Sequence, residues 1–161
     1  MQAITFVFYL ALIGLLVWLA WIDIKERRLP NQLVLAVAGV GVAHALIQAI
    51  ASRNFDPLSQ AALGAAMSSV LPLIILLLTI RKPGGPALGM GDVKLLAALG
   101  IFTGPVGFLL LPIACTIATI VLLPQWLFRL VQKKKVQGQT LAFGPYILMA
   151  TLLLTSLQFT H

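Results

Sequence analysis

The stretch GMGDVKLLAALGIFTGP, residues 89–105, decides the fold. Its apolar centre, residues 93–102, is ten residues long and ends at a Gly104-Pro105 break. As a helix that run rises only about 15 Å, half of the roughly 30 Å that a bilayer core demands. Whether it crosses a membrane or merely dips into one sets the number of spans. It also sets the side on which every later loop lies.

The rest of the chain fixes the medium. Of its 161 residues 60% are hydrophobic and only 9% charged, with a mean hydropathy of +1.04; soluble domains carry about 25% charge. Apolar runs at 4–22, 33–50, 61–80, 106–128 and 141–159 are nearly free of charge and each about one crossing long. No segment alternates apolar and polar residues as a membrane β-strand would. The expected fold is all-α: a polytopic membrane protein forming one domain over residues 1–161. The first run has no basic residue before it and no small-x-small cleavage pattern after it, and Lys25, Arg27 and Arg28 follow at once. It reads as a retained span rather than a removed signal.

Basic residues flanking spans stay on the cytoplasmic side, so their distribution bears on the short segment. If it crosses, Lys25, Arg27, Arg28, Arg81, Lys82, Lys94, Arg129, Lys133, Lys134 and Lys135 all face the cytoplasm, and of the eleven basic residues only Arg53 faces outward. If it does not cross, the loop holding Arg129 and the three consecutive lysines faces out. Six spans with both termini outside is therefore the expected topology, the fourth helix starting near Gly89 or Asp92 to gain length. Trp18, Trp21 and Trp126 fall near span ends, where aromatic belts form. The net charge of +7 is thus an insertion signal, and no nucleic-acid partner is expected. The single cysteine, Cys115, permits neither an intramolecular disulfide nor a multi-cysteine metal site. Residues 82–91 hold four glycines and two prolines, so that connection cannot be regular helix throughout.

Four acidic residues occur: Asp23, Glu26, Asp56 and Asp92. Asp56, in R-N-F-D-P, suits the turn before Pro57. Asp23 ends the first span and Asp92 begins the fourth, both at the expected cytoplasmic edge. Carboxylates at one depth on different helices can converge. When two share a site, repulsion keeps one protonated as an acid while the other acts as base toward water, which is the chemistry of an aspartic protease dyad and needs no metal or cofactor. The plainer alternative pairs each with neighbouring Lys25, Arg27 or Lys94 at a helix end. Gly89 and Gly91 before Asp92 admit close backbone approach and unusual φ, or simply end a loop. Asn31 is expected to cap the second span after Pro30, and Lys94 to contact a carboxylate or lipid phosphate, or to snorkel. His44 lies within the second span and reads as a satisfied polar residue, since no second His or Cys lies at ligand spacing. The run at Lys133, Lys134 and Lys135 reads as a topology anchor.

Three blocks occur in order: D-x6-P-N from Asp23 to Pro30 and Asn31, G-x-G-D-x-K from Gly89 through Gly91 and Asp92 to Lys94, and F-G-P at Phe143, Gly144 and Pro145. Together they resemble the type IV prepilin peptidase family, over essentially the whole chain. The resemblance implies a six-span aspartyl endopeptidase of the cytoplasmic membrane that removes the short basic leader of prepilins, pseudopilins or archaellins at the cytoplasmic face. Asp23 and Asp92 match its catalytic pair. Gly89, Gly91, Lys94, Pro30, Asn31, Phe143, Gly144 and Pro145 would support or bind substrate. Bifunctional members carry an N-terminal extension with paired C-x-x-C motifs and methyltransferase activity. This chain is similar instead to the short, peptidase-only form of tight-adherence pilus and archaellin systems. Two other readings stay open: a presenilin-like intramembrane protease, which shares G-x-G-D but is longer, and a small proton-coupled transporter or secretion accessory protein whose aspartates relay protons.

Overall fold

A computed structural model describes residues 2–26, 29–81, 88–131 and 143–159. Arg27, Arg28, Lys82, Lys133, Lys134, Lys135 and His161 lie outside the described residues, as do the side chains of Trp126 and Arg129.

The described chain is helical: α1 (Gln2–Glu26), α2 (Asn31–Ser52), α3 (Asp56–Thr79), α4 (Met90–Thr103), a 3-10 segment (Gly104–Leu109), α5 (Leu110–Val131) and α6 (Gly144–Phe159). Four stretches are long and apolar enough to cross a membrane, Ile4–Glu26, Asn31–Ser52, Asp56–Thr79 and Met90–Leu123, and Gly144–Ser156 is a shorter apolar helix. The helices pack in the membrane manner. On α2 the inward residues are Val34, Val37, Gly41, Ala45 and Ala49, while Leu35, Val42, Leu46 and Ile50 point out. On α3 the inward face is Ala61, Gly64, Ser68, Pro72 and Leu76, with Leu63, Met67, Leu77 and Leu78 outward. Small residues inside let backbones approach, and large apolar ones outside meet lipid. Exposed Trp18 and Trp21 agree with a belt at the end of α1, where the Lys25 ammonium sits 4.9 Å over the Trp21 ring.

The short helix α4 is the centre of the bundle. Val93, Leu95, Leu96, Ala98, Leu99, Gly100 and Thr103 are all buried, against α3 and α2 above all. At 14 residues α4 rises about 21 Å, longer than the apolar run alone because it begins at Met90. It runs parallel to α2: Lys94 Nζ donates to Asn31 Oδ1 at 3.2 Å near one end, and a Cβ on Gly41 would lie 3.0 Å from Ile101 Cγ2 further along. It runs antiparallel to α3, where Gly64 faces Gly100 so closely that a Cβ on either would collide with the other's carbonyl oxygen. Ser68 Oγ, bonded to the Gly64 carbonyl at 2.5 Å, closes the same contact. The signal for it was in the sequence as Gly64-x3-Ser68 and Gly100-x3-Gly104, a small-residue spacing that the apolar runs obscure.

Helices α1 and α6 are antiparallel. Gly144 N–H meets Asp23 at one end, and Thr155 Oγ1 lies in hydrogen bond with the Tyr9 hydroxyl, 3.0 Å away, at the other. The α2–α3 connection is tight: Arg53 takes a left-handed φ of 53°, and its N–H and that of Asn54 return to the last carbonyls of α2.

Three expectations are corrected. The fifth apolar run is not one helix from Val106. Residues 104–109 form a 3-10 turn that folds the chain back, placing Gly107 so near Gly100 that a Cβ there would lie 3.1 Å from the Gly100 Cα. Gly104 makes the reversal with φ 65°, a backbone state that side chains resist. The unusual glycine φ expected at Gly89 falls here instead, since Gly89 has φ −76°, open to any residue. Asn31 does not cap α2: Pro30 holds the cap position without a side-chain bond, and the Asn31 amide oxygen is engaged by Lys94.

Candidate active site

Asp23 stands in the last turns of α1 and is buried, 5% exposed. Burial of a carboxylate demands a partner. Its Oδ2 accepts a hydrogen bond of 2.8 Å from the backbone N–H of Gly144, the first residue of α6. The F-G-P block explains the contact. Phe143 packs against the core and its carbonyl takes the N–H groups of Tyr146 and Ile147, which fixes the start of the helix. Pro145 has no N–H to satisfy and a φ suited to the first turn. Gly144 has no Cβ, and one built there would lie 2.8 Å from Asp23 Oδ2 and 3.1 Å from Asp23 Cβ.

Asp92 is the third residue of α4. Its carboxylate reaches back to the N–H of Gly89, which caps the helix, with Oδ2 3.2 Å from that nitrogen. Gly91 serves close approach: a Cβ there would lie 3.1 Å from Leu29 Cβ, in the connection between α1 and α2. The turn after α1 and the first turn of α4 are thereby pressed together. The first and third sequence blocks meet at Asp23 and Gly144, the first and second at Leu29 with Gly91 and at Asn31 with Lys94. Lys94 is thus a strut between α4 and α2.

The other polar candidates lie elsewhere. Asp56 opens α3, exchanging hydrogen bonds with Asn54 in the expected turn role. It borders a cavity of about 470 Å³ at the opposite end of the bundle from Asp23 and Asp92, lined also by Thr5, His44, Gln48 and Gln60. His44 is satisfied by Gln48 one turn on, their Nε2 atoms 2.9 Å apart, and its ring stacks on Phe102 at 4.7 Å. Among the described residues no three His, Cys, Asp or Glu side chains come together as metal ligands.

Sequence comparison agrees with the family resemblance. Residues 10–123 match the type IV leader peptidase family, and the chain belongs to that family. It is 32% identical over 135 residues to a prepilin leader peptidase/N-methyltransferase of Xanthomonas campestris pv. campestris, covering 84% of this chain and 44% of that one. With a protein of the same description from Pectobacterium carotovorum subsp. carotovorum it shares 35% identity over 139 residues, 86% of this chain and 47% of the relative. A Klebsiella pneumoniae relative so described is 40% identical over 96 residues, 59% of this chain and 40% of its own length. The chain therefore spans about half the length of the curated relatives it matches. No solved structure matches.

Proposed function

We propose that this chain is an aspartyl endopeptidase of the cytoplasmic membrane that removes the short basic leader from prepilins or prepilin-like proteins. The observation that carries the reading is the meeting of the three blocks at one end of the bundle, with Asp23 buried near the end of α1 and Asp92 in the first turn of α4. Its relatives' names supply the substrate class.

Two such carboxyls hold one proton between them. The protonated one hydrogen-bonds the scissile carbonyl oxygen while the other takes a proton from a water, whose oxygen adds to the carbonyl carbon. The resulting diol collapses as the C–N bond breaks, and a carboxyl proton passes to the leaving amine. Gly89, Gly91, Pro30, Asn31, Lys94, Phe143, Gly144 and Pro145 support this pair rather than react. Leader and cytoplasmic loops are both basic in this reading, so long-range attraction does not drive recognition. The apolar helix of the substrate, packed among the spans, supplies it. Purified protein in lipid is expected to cleave a leader-bearing prepilin at the leader junction. Intact substrate after long incubation, with proton-driven uptake in vesicles instead, would reject the assignment.

The same reading puts six spans in the membrane, α4 being the short fourth, with both termini outside and the aspartates on the cytoplasmic side. Ten of the eleven basic residues support that orientation. A cysteine introduced at position 54 is expected to react with a membrane-impermeant maleimide in intact cells, and one at position 137 only after lysis. The reverse pattern would invert the topology.

A further inference from the structure

We propose that the backbone N–H of Gly144 is a positioning group of the active site, fixing the direction of the Asp23 carboxylate toward Asp92 and substrate. The inference rests on Asp23 being one of the catalytic pair and adds the group that holds it.

A carboxylate can rotate about two side-chain bonds, and reaction geometry tolerates little misplacement; an error of about 1 Å costs on the order of a hundredfold. Asp23 has one described anchor, the 2.8 Å hydrogen bond to Gly144 N–H, a charge-assisted contact at the start of a 16-residue helix. The first turn of α6 is arranged so that this donor is available. The N–H groups of Tyr146 and Ile147 are taken by the Phe143 carbonyl, and Pro145 has none. Gly144 N–H is the one left over among the first helical residues, and it points at Asp23.

The fit at this position is tight. A Cβ on Gly144 would press on Asp23 Oδ2 at 2.8 Å, Cβ at 3.1 Å and Cγ at 3.3 Å. The carboxylate could swing away from the first of these. The Asp23 Cβ is held by α1, so α6 must give by about a few tenths of an ångström and shift the donor with it. Far down the same pair of helices the Thr155–Tyr9 contact holds their register, about 21 Å of helix from Asp23 to Tyr9. The donor's position is therefore set by the packing of α6 on α1 along its length.

Two variants test this in the purified, lipid-reconstituted chain with a prepilin substrate. Gly144→Ala adds the Cβ, and kcat is expected to fall about tenfold or more while KM changes less than about threefold. The second is a backbone ester in which the Gly144 N–H becomes an oxygen. It removes the donor with no added bulk and is expected to lower kcat about tenfold or more, with KM and the melting temperature close to those of the unmodified chain. An ester variant with unchanged kcat would overturn the proposal, as would a loss appearing only as a raised KM or a lowered melting temperature. Asp23→Asn separates this from the parent reading. If Asp23→Asn is inactive and the ester is fully active, only the role of Gly144 falls. If Asp23→Asn cleaves normally, the dyad falls and Gly144 with it.

Discussion

Asp23→Asn and Asp92→Asn are each expected to lower leader cleavage by at least about a thousandfold while leaving the protein inserted and folded. Asparagine keeps the shape of aspartate and can still accept the Gly144 or Gly89 N–H, but it cannot take a proton from water. Insertion is directed by the apolar helices and the basic loops, which neither change touches. In the proposed dyad the carboxyls share one proton and act as a unit, so the double variant is expected to be scarcely worse than either single one. Asp56→Asn, at the other end of the bundle against Asn54, is the control and should cleave normally. A comparison of single-turnover cleavage rates decides the matter. An active Asp92→Asn would end the dyad assignment, and an inactive Asp56→Asn would end the orientation too.

The second large effect is structural and contrasts one chemical change at three places. Gly100→Ala is expected to destabilise the protein by about 3 kcal/mol or more, at the upper end of core overpacking, because the new methyl meets the Gly64 carbonyl and the Ser68 hydroxyl. Neither can yield, since one is backbone and the other is bonded to that same carbonyl. Gly14→Ala and Gly39→Ala place the same methyl where nothing lies within 4 Å. There the gain in helix propensity stabilises by a few tenths to about 1 kcal/mol. Thermal unfolding in detergent should rank Gly100→Ala far below both. Equal melting temperatures for the three would mean that α3 and α4 are not in the contact described.

These two effects also mark what the sequence discloses and what it hides. Apolar runs announce helices whatever their neighbours, so α1, α2, α3 and α6 could be placed to within a few residues from composition alone. The Gly104-Pro105 break was equally visible, but not its form: the 3-10 turn exists because Gly107 can lie on Gly100, a contact between backbones that no local pattern encodes. Asn31 looked like a cap because its neighbours looked like a helix start, and only the arrival of Lys94 from α4 gives it another bond. The proposed pairing of the aspartates rests on the reasoning that charge fixes topology and topology fixes depth. What holds Asp92 is local, the Gly89 N–H three residues away, although the sequence suggested Lys94 instead; what holds Asp23 comes from α6, far along the chain.

That separation has a consequence for how the protein is made. Asp23 and Gly144 are 121 positions apart, so α1, which carries the carboxylate, is made well before α6, which brings its hydrogen-bond donor. Until α6 is made the acid lacks that anchor, and closing so long a loop costs chain entropy. A chain truncated before α6 would insert with both aspartates present and the site unfinished. In the proposed reading α6 thus acts as a completion signal, since Asp23 is not anchored until that helix has arrived.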